Sequence, residues 1–151
     1  MRRRIQINSP VGPITIAEQD GAITHLLFGG CAEEGEKTEL LSEAERQLNE
    51  YFEGARREFD LPLRPEGTAF QKDVWNALCQ IPYGQTRSYA EIARSVGRDK
   101  AFRAVGMANH NNPISIIIPC HRVVGADGSL TGYGGGLDKK RFLLRLEGLE
   151  R

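Results

Sequence analysis

The sequence predicts an α/β (α+β) chain of two parts. Residues 1–65 form a small domain with an antiparallel sheet and one covering helix, and residues 66–151 form a mainly helical part of winged-helix or helix-turn-helix type. Three observations carry this. Short β-branched runs separated by turn dipeptides come first, the hydrophobic period then changes to that of a helix, and two capped helices joined by a tight glycine turn follow. At 151 residues, with 40% hydrophobic and 26% charged, the chain has the length and composition of one compact globular protein of two modules.

"RRIQIN", "PITIAEQ" and "AITHLLFG" read as three strands, because "SPVG" and "DG" between them supply the backbone freedom that tight turns need. In "TELLSEAERQLNEYFEG" the apolar Leu41, Ala44, Leu48, Tyr51 and Phe52 recur at helical spacing, with Gly54 as the terminator. "REFDLPLRPEG" alternates Phe59, Leu61 and Leu63 and stops at Pro65, which predicts a last short strand and a boundary near residue 65.

Thr68 and Gln71 make a capping box at the start of the next helix, where Phe70, Val74, Trp75 and Leu78 form the apolar stripe and Cys79 reads as a small buried residue. Ser88 and Glu91 make a second capping box, with Gly97 as the stop. A further helix follows with Asp99 as its cap, ending before Pro113. Such a pair outlines a helix-turn-helix whose second helix carries Arg103, with Arg87, Arg94, Arg98 and Lys100 around it. "SIIIP" reads as a strand ending at Pro119. The final helix, "LDKKRFLLRLEG", has Asp138 as its cap and Gly148 as its stop.

The longest apolar run is far shorter than the ~18 to 20 residues that cross a bilayer, and no apolar stretch follows the three amino-terminal arginines. Neither membrane insertion nor export is expected. Cys31, Cys79 and Cys120 are odd in number and widely spaced, which fits neither a disulfide framework nor a Cys-x-x-Cys motif and points to reduced thiols in a cytoplasm. Residues 1–65 carry 8 basic and 12 acidic side chains and residues 66–151 carry 12 and 8, so an anionic partner belongs to the second part.

"IPCHRVV" joins a nucleophile to a base. A free thiol of pKa about 8.5 is only a few per cent thiolate at neutral pH, so a working Cys120 needs a neighbouring base or a positive field. His121 supplies the base. On an extended segment adjacent side chains point to opposite faces, so a water between thiol and imidazole is the expected geometry. The imidazole then needs an orienting carboxylate. Glu147, an acid placed against the dipole of the last helix, is the candidate.

"IPCHRVV", together with "SYAEIA", "FRAVGMANHNNP" and "LTGYGGGLDKKRFLLRLEG", resembles the O6-alkylguanine-DNA alkyltransferase family, the methylated-DNA-protein-cysteine methyltransferases. The likeness covers residues 66–151 closely; residues 1–65 are similar to the family's small RNase H-like domain in their order of elements. It implies a DNA-repair methyltransferase that moves the alkyl group of O6-alkylguanine, with O4-alkylthymine an open second substrate, irreversibly to Cys120. Each molecule acts once and needs no cofactor.

The same resemblance implies base flipping from double-stranded DNA bound through the minor groove, with Arg103 taking the place of the flipped base. Tyr89 crowds the target phosphate and donates to the leaving guanine, Asn112 joins the turns around the site, and His121 and Glu147 are the base and its orienting acid. Arg122 completes the motif in a structural role. Val123, Tyr133 and Gly134 match the substrate pocket, and Ala90 and Arg98 match positions that contact the DNA backbone. Many members carry serine at position 134, so recognition of O6 here falls to a backbone N–H. One branch has tryptophan as its nucleophile residue and only binds lesions; Cys120 excludes it. Some members hold zinc in the first domain, but Cys31 and His25 are too few for four ligands, so no metal is expected. A monomer is the simplest state for a protein that binds one lesion.

Three other classes compete, the last of them, a structural non-enzymatic protein, with nothing specific in the sequence to support it. A Cys-His hydrolase would use the same pair but needs an oxyanion hole and leaves Arg103 unexplained. A non-catalytic DNA-binding regulator would survive loss of Cys120 unchanged.

Overall fold

The computed structural model describes residues 2–31, 33–133 and 135–149. They fall into two compact units, one made of residues up to 66 with Pro113–Ile117, the other of Gly67–Asn112 and Ile118 onward.

In the first unit, β1 (Arg2–Ile7), β2 (Ile14–Gln19) and β3 (Ala22–Phe28) form an antiparallel sheet in that order, with Ile5 opposite Ile16 and Ile7 opposite Ile14. Asp20 and Gly21 both take positive φ, 52° and 80°, the geometry that lets a two-residue hairpin follow the twist of its strands. Helix α1 (Glu39–Phe52) is capped by Thr38 and buries Leu41, Ala44, Leu48 and Tyr51, as its period predicts. Gln47 is buried beside them. Its amide donates to Asp60 O and accepts from Asp60 N, tying the segment after α1 to the helix.

The strand expected over Phe59–Leu63 is absent. Only Leu63 bridges, in parallel with Ile23, through Ile23 N to Pro62 O and Arg64 N to Ile23 O, both 2.8 Å. Pro62 and Pro65 lack an N–H, so a ladder cannot extend to either side. The strand expected at "SIIIP" is also corrected. Ile114 bridges Leu26, and then Ile116 turns to φ 72° and Ile117 N bonds Ser115 O at 2.8 Å. Ile114, Ile116, Ile117 and Ile118 are all buried, which explains the misreading: a short apolar run signals burial, and periodicity cannot tell a buried strand from a buried turn.

In the second unit, α2 (Ala69–Cys79) and α3 (Tyr89–Ser95) start with the two capping boxes, Thr68/Gln71 and Ser88/Glu91. Residues Arg87–Ser88, just before α3, form a short strand β4. Helix α4 (Phe102–His110) follows α3, and the Trp75 indole of α2 donates to Ala108 O of α4 at 2.8 Å, locking the pair. Cys79, the last residue of α2, is exposed rather than buried. Asp99 does not cap α4. The chain first closes a turn from Arg98 O to Ala101 N, which leaves Ala101 as the uncapped N-cap.

A single turn of 3-10 helix, Cys120–Arg122, leads into β5 (Val123–Val124), which pairs in parallel with β4. Helix α5 (Leu137–Leu146) closes the chain. Its N-cap is Gly136 at φ 101°, a backbone only glycine adopts readily, and Asp138 sits within the first turn instead of capping it. Among the described residues no helix is long and apolar enough to cross a membrane.

Candidate active site

Cys120 is placed by a turn. Pro119, at φ −80° and ψ 63°, makes an inverse γ-turn in which Cys120 N bonds Ile118 O at 2.7 Å, and the 3-10 turn begins at once. Successive side chains of such a helix diverge by about 120°, so His121 turns away from Cys120, though less than the opposite-face alternation of a strand would have turned it. Two asparagines, Asn109 in the last turn of α4 and Asn112 just beyond the helix, hold the carbonyls around Cys120. Asn112 Nδ2 donates to Ile118 O at 2.9 Å, and Asn109 Nδ2 to Cys120 O at 3.3 Å.

Cys120 is 3% exposed. Burial pushes the Cys120 thiol above its ordinary pKa, while hydrogen bonds from Asn112 and Tyr133 and the Lys140 ammonium pull the other way without overcoming it. Lys140 is buried completely, and burial brings its own pKa down to about 8. Its Nζ donates to Val123 O at 2.6 Å and Thr131 O at 3.2 Å. The thiol is therefore protonated at rest, beside three groups that stabilise its anion.

Behind it stands a buried triad of charge and imidazole. His121 Nε2 lies 2.8 Å from Glu147 Oε2; Arg122 grips the same carboxylate through Nε to Oε1 at 2.8 Å and Nη2 to Oε2 at 3.0 Å. The third arginine donor reaches Ile81 O at 2.7 Å, and the guanidinium lies 5.7 Å from the Tyr83 ring centre. Burial alone would raise the Glu147 carboxyl, yet hydrogen bonds from His121 and Arg122 and the charge of the guanidinium hold it at about 2. Burial lowers His121, and Glu147 only partly restores it, so the ring is neutral at pH 7. An ionised carboxylate only accepts, so Nε2 carries the hydrogen and Nδ1 carries the lone pair. Nδ1 is buried and meets no donor among the described residues.

Tyr89, the first residue of α3, places its hydroxyl 2.6 Å from Thr131 Oγ1. Val123 and Tyr133 are buried with Cys120. Gly134 lies outside the described residues. Ala90 and Arg103 are exposed on α3 and α4, and the exposed Arg98 lays its guanidinium 5.4 Å from the Phe70 ring centre. Phe102 and Met107, which the sequence reading passed over, are 49% and 62% exposed on α4 beside Arg103, an apolar flank for whatever that helix meets.

The sequence profile of the 6-O-methylguanine DNA methyltransferase DNA-binding domain matches residues 69–149, and that of the same protein's ribonuclease-like domain matches residues 3–65. The chain belongs to the 6-O-methylguanine DNA methyltransferase family. Among relatives of this family, the methylated-DNA–protein-cysteine methyltransferase of Methanosarcina barkeri is 55% identical, over 93% of this chain and 94% of that protein. The structure of Mycobacterium tuberculosis OGT in complex with DNA superposes with a TM-score of 0.88 at 50% identity, covering 96% of this chain and 92% of that one. S. pombe Atl1, solved with damaged DNA containing O6-carboxymethylguanine, is 35% identical over 56% of this chain and 81% of its own, with a TM-score of 0.50.

For a methyltransferase of this family, the sequence reading missed Lys140, Asn109 and Thr131. Lys140 had a legible signal. On α5 it shares one face with Leu143, Leu144 and Glu147 at helical spacing, and a lysine in an apolar stripe asks for a buried partner. Asn109 and Thr131 carried none, since both act through contacts distant in sequence.

Proposed function

We propose that this chain repairs alkylated DNA by taking the alkyl group of O6-alkylguanine onto Cys120, once per molecule. The observation that carries the reading is a buried thiol flanked by Asn112, Tyr133 and Lys140, with a neutral imidazole fixed by Glu147 one residue away. His121 Nδ1 accepts the thiol proton through a water. The thiolate then attacks the alkyl carbon, the S–C bond forms, the C–O6 bond breaks, and the electron pair leaves on the guanine. Tyr89 donates to the ring as that charge develops, and the proton held by His121 restores the phenol by way of water, so the sulfur loses one proton and the guanine, still in its strand, gains one. The product is a neutral thioether that nothing in the site can cleave.

A base inside a duplex must first leave the stack, at a cost of a few kcal/mol that a damaged pair reduces. Helix α4 enters the minor groove, Arg103 fills the gap, and Ala90 and Arg98 rest on the backbone. Val123, Tyr133 and the backbone at Gly134 form the guanine pocket. In this reading the RNase H-like part is residues 1–65 and the DNA-binding alkyltransferase part is residues 66–151, and the protein works in the cytoplasm as a monomer.

Intact-protein mass spectrometry after mixing with a duplex containing O6-methylguanine tests this. The expected result is a gain of one methylene mapped to Cys120, with one equivalent of lesion consumed. An unchanged mass under conditions where the duplex is bound sinks the proposal, and catalytic turnover of an acyl substrate would favour a hydrolase.

A further inference from the structure

We infer that Thr131 is a positioning residue for alkyl transfer, holding the Tyr89 hydroxyl in register with Cys120. This rests on the reading above that Tyr89 donates to the leaving guanine. The two hydroxyls are 2.6 Å apart, and either can donate. Thr131 is itself pinned, because its backbone carbonyl accepts from Lys140 Nζ at 3.2 Å while the same ammonium donates to Val123 O at 2.6 Å.

These contacts close a ring. Val123 follows the Cys120–Arg122 turn directly and pairs with Arg87, and Ser88 pairs with Val124 and caps the helix that Tyr89 begins. From Tyr89 the ring returns through Thr131 and Lys140 to Val123. The donor and the nucleophile are thus fixed to one another along two routes, one through the β4–β5 pair and one through Thr131.

The hydroxyl also suits the chemistry. Before the base arrives, Thr131 accepts from Tyr89. When Tyr89 turns its proton to the guanine ring, Thr131 rotates and donates to the phenol oxygen, stabilising the charge that gathers there. Thr131 gives up no proton. Valine has the same shape and neither capacity, whereas serine keeps both.

Single-turnover transfer from an O6-methylguanine duplex, with the maximal rate and the half-saturating concentration measured separately, tests the inference. Thr131→Val is expected to lower the maximal rate about tenfold, the rate equivalent of one hydrogen bond, with half-saturation unchanged. Thr131→Ser is expected to react as the parent does. In a Tyr89→Phe background, Thr131→Val should cost nothing further, because its partner is gone. A full additional loss in that background, no loss from Thr131→Val alone, or failure of serine to restore the rate overturns the role of Thr131. A Tyr89→Phe protein as fast as the parent instead overturns the donor role of Tyr89, which separates the two failures.

Discussion

Replacing Glu147 by Gln removes the negative charge on which His121 and Arg122 both depend, and the structure fixes what that should cost. The side chain is buried, and a carboxyl held at about 2 instead of the ordinary 4.5 contributes about 3 kcal/mol of folding stability at neutral pH. Leaving Arg122 buried without its anion falls in the same range, about 3 to 5 kcal/mol when one partner of a buried pair is lost. The sign follows from the depressed pKa. The contribution is complete above pH 4.5 and disappears as the pH falls through the folded value near 2. Trp75, the sole tryptophan, is buried in the same unit and reports its unfolding. With a urea slope of about 2 kcal/mol per molar, Glu147→Gln should lower the midpoint by about 1.5 M at pH 7, and the gap should narrow steadily below pH 4.5. Equal midpoints at pH 7, or a gap that does not close in acid, would refute the claim that this carboxylate anchors the site.

Arg103→Ala should slow repair in duplex DNA more than reaction with free O6-methylguanine base, because it removes the residue that fills the stack and leaves the thiol untouched; equal losses on both substrates count against it. Its folding stability should change by no more than about 0.5 kcal/mol, as the side chain is exposed. Lys140→Met should raise the apparent pKa of Cys120, measured as an alkaline displacement of the pH profile of its alkylation by a small reagent with peptide mapping. An unmoved profile would show that the ammonium does not act on the sulfur.

What could be read from the sequence divides along a physical line. Local signals held where residues near in sequence settle the outcome. Thr68/Gln71 and Ser88/Glu91 are capping boxes in the structure, and the stripe of α1 is its buried face. Signals failed where a distant partner decides. The isoleucine run looked like a strand because burial on all sides and extended pairing leave the same apolar trace, and Asp99 and Asp138 looked like caps because their side chains suit the role even when the backbone turns elsewhere. In the site, the grouping of Cys120, His121 and Glu147 was legible from their residue types and from an acid placed against its helix dipole. That the imidazole meets Glu147 at 2.8 Å, and that Arg122 shares the carboxylate, needed coordinates. Lys140 could have been found, as the one cation in the stripe of α5; Thr131 could not.

Ile116 sets two rules of protein engineering against each other. At φ 72° a β-branched residue bears about 1 to 3 kcal/mol of backbone strain, which any idealisation of the chain would relieve with glycine. The side chain is 1% exposed, and burying an isoleucine is worth about 1.5 to 3 kcal/mol, before the cavity left by its removal is counted. A redesign that began from torsion angles would hollow out the first unit to smooth one turn. At this position the packing must be redesigned before the backbone, and local preference is the wrong place to look for added robustness.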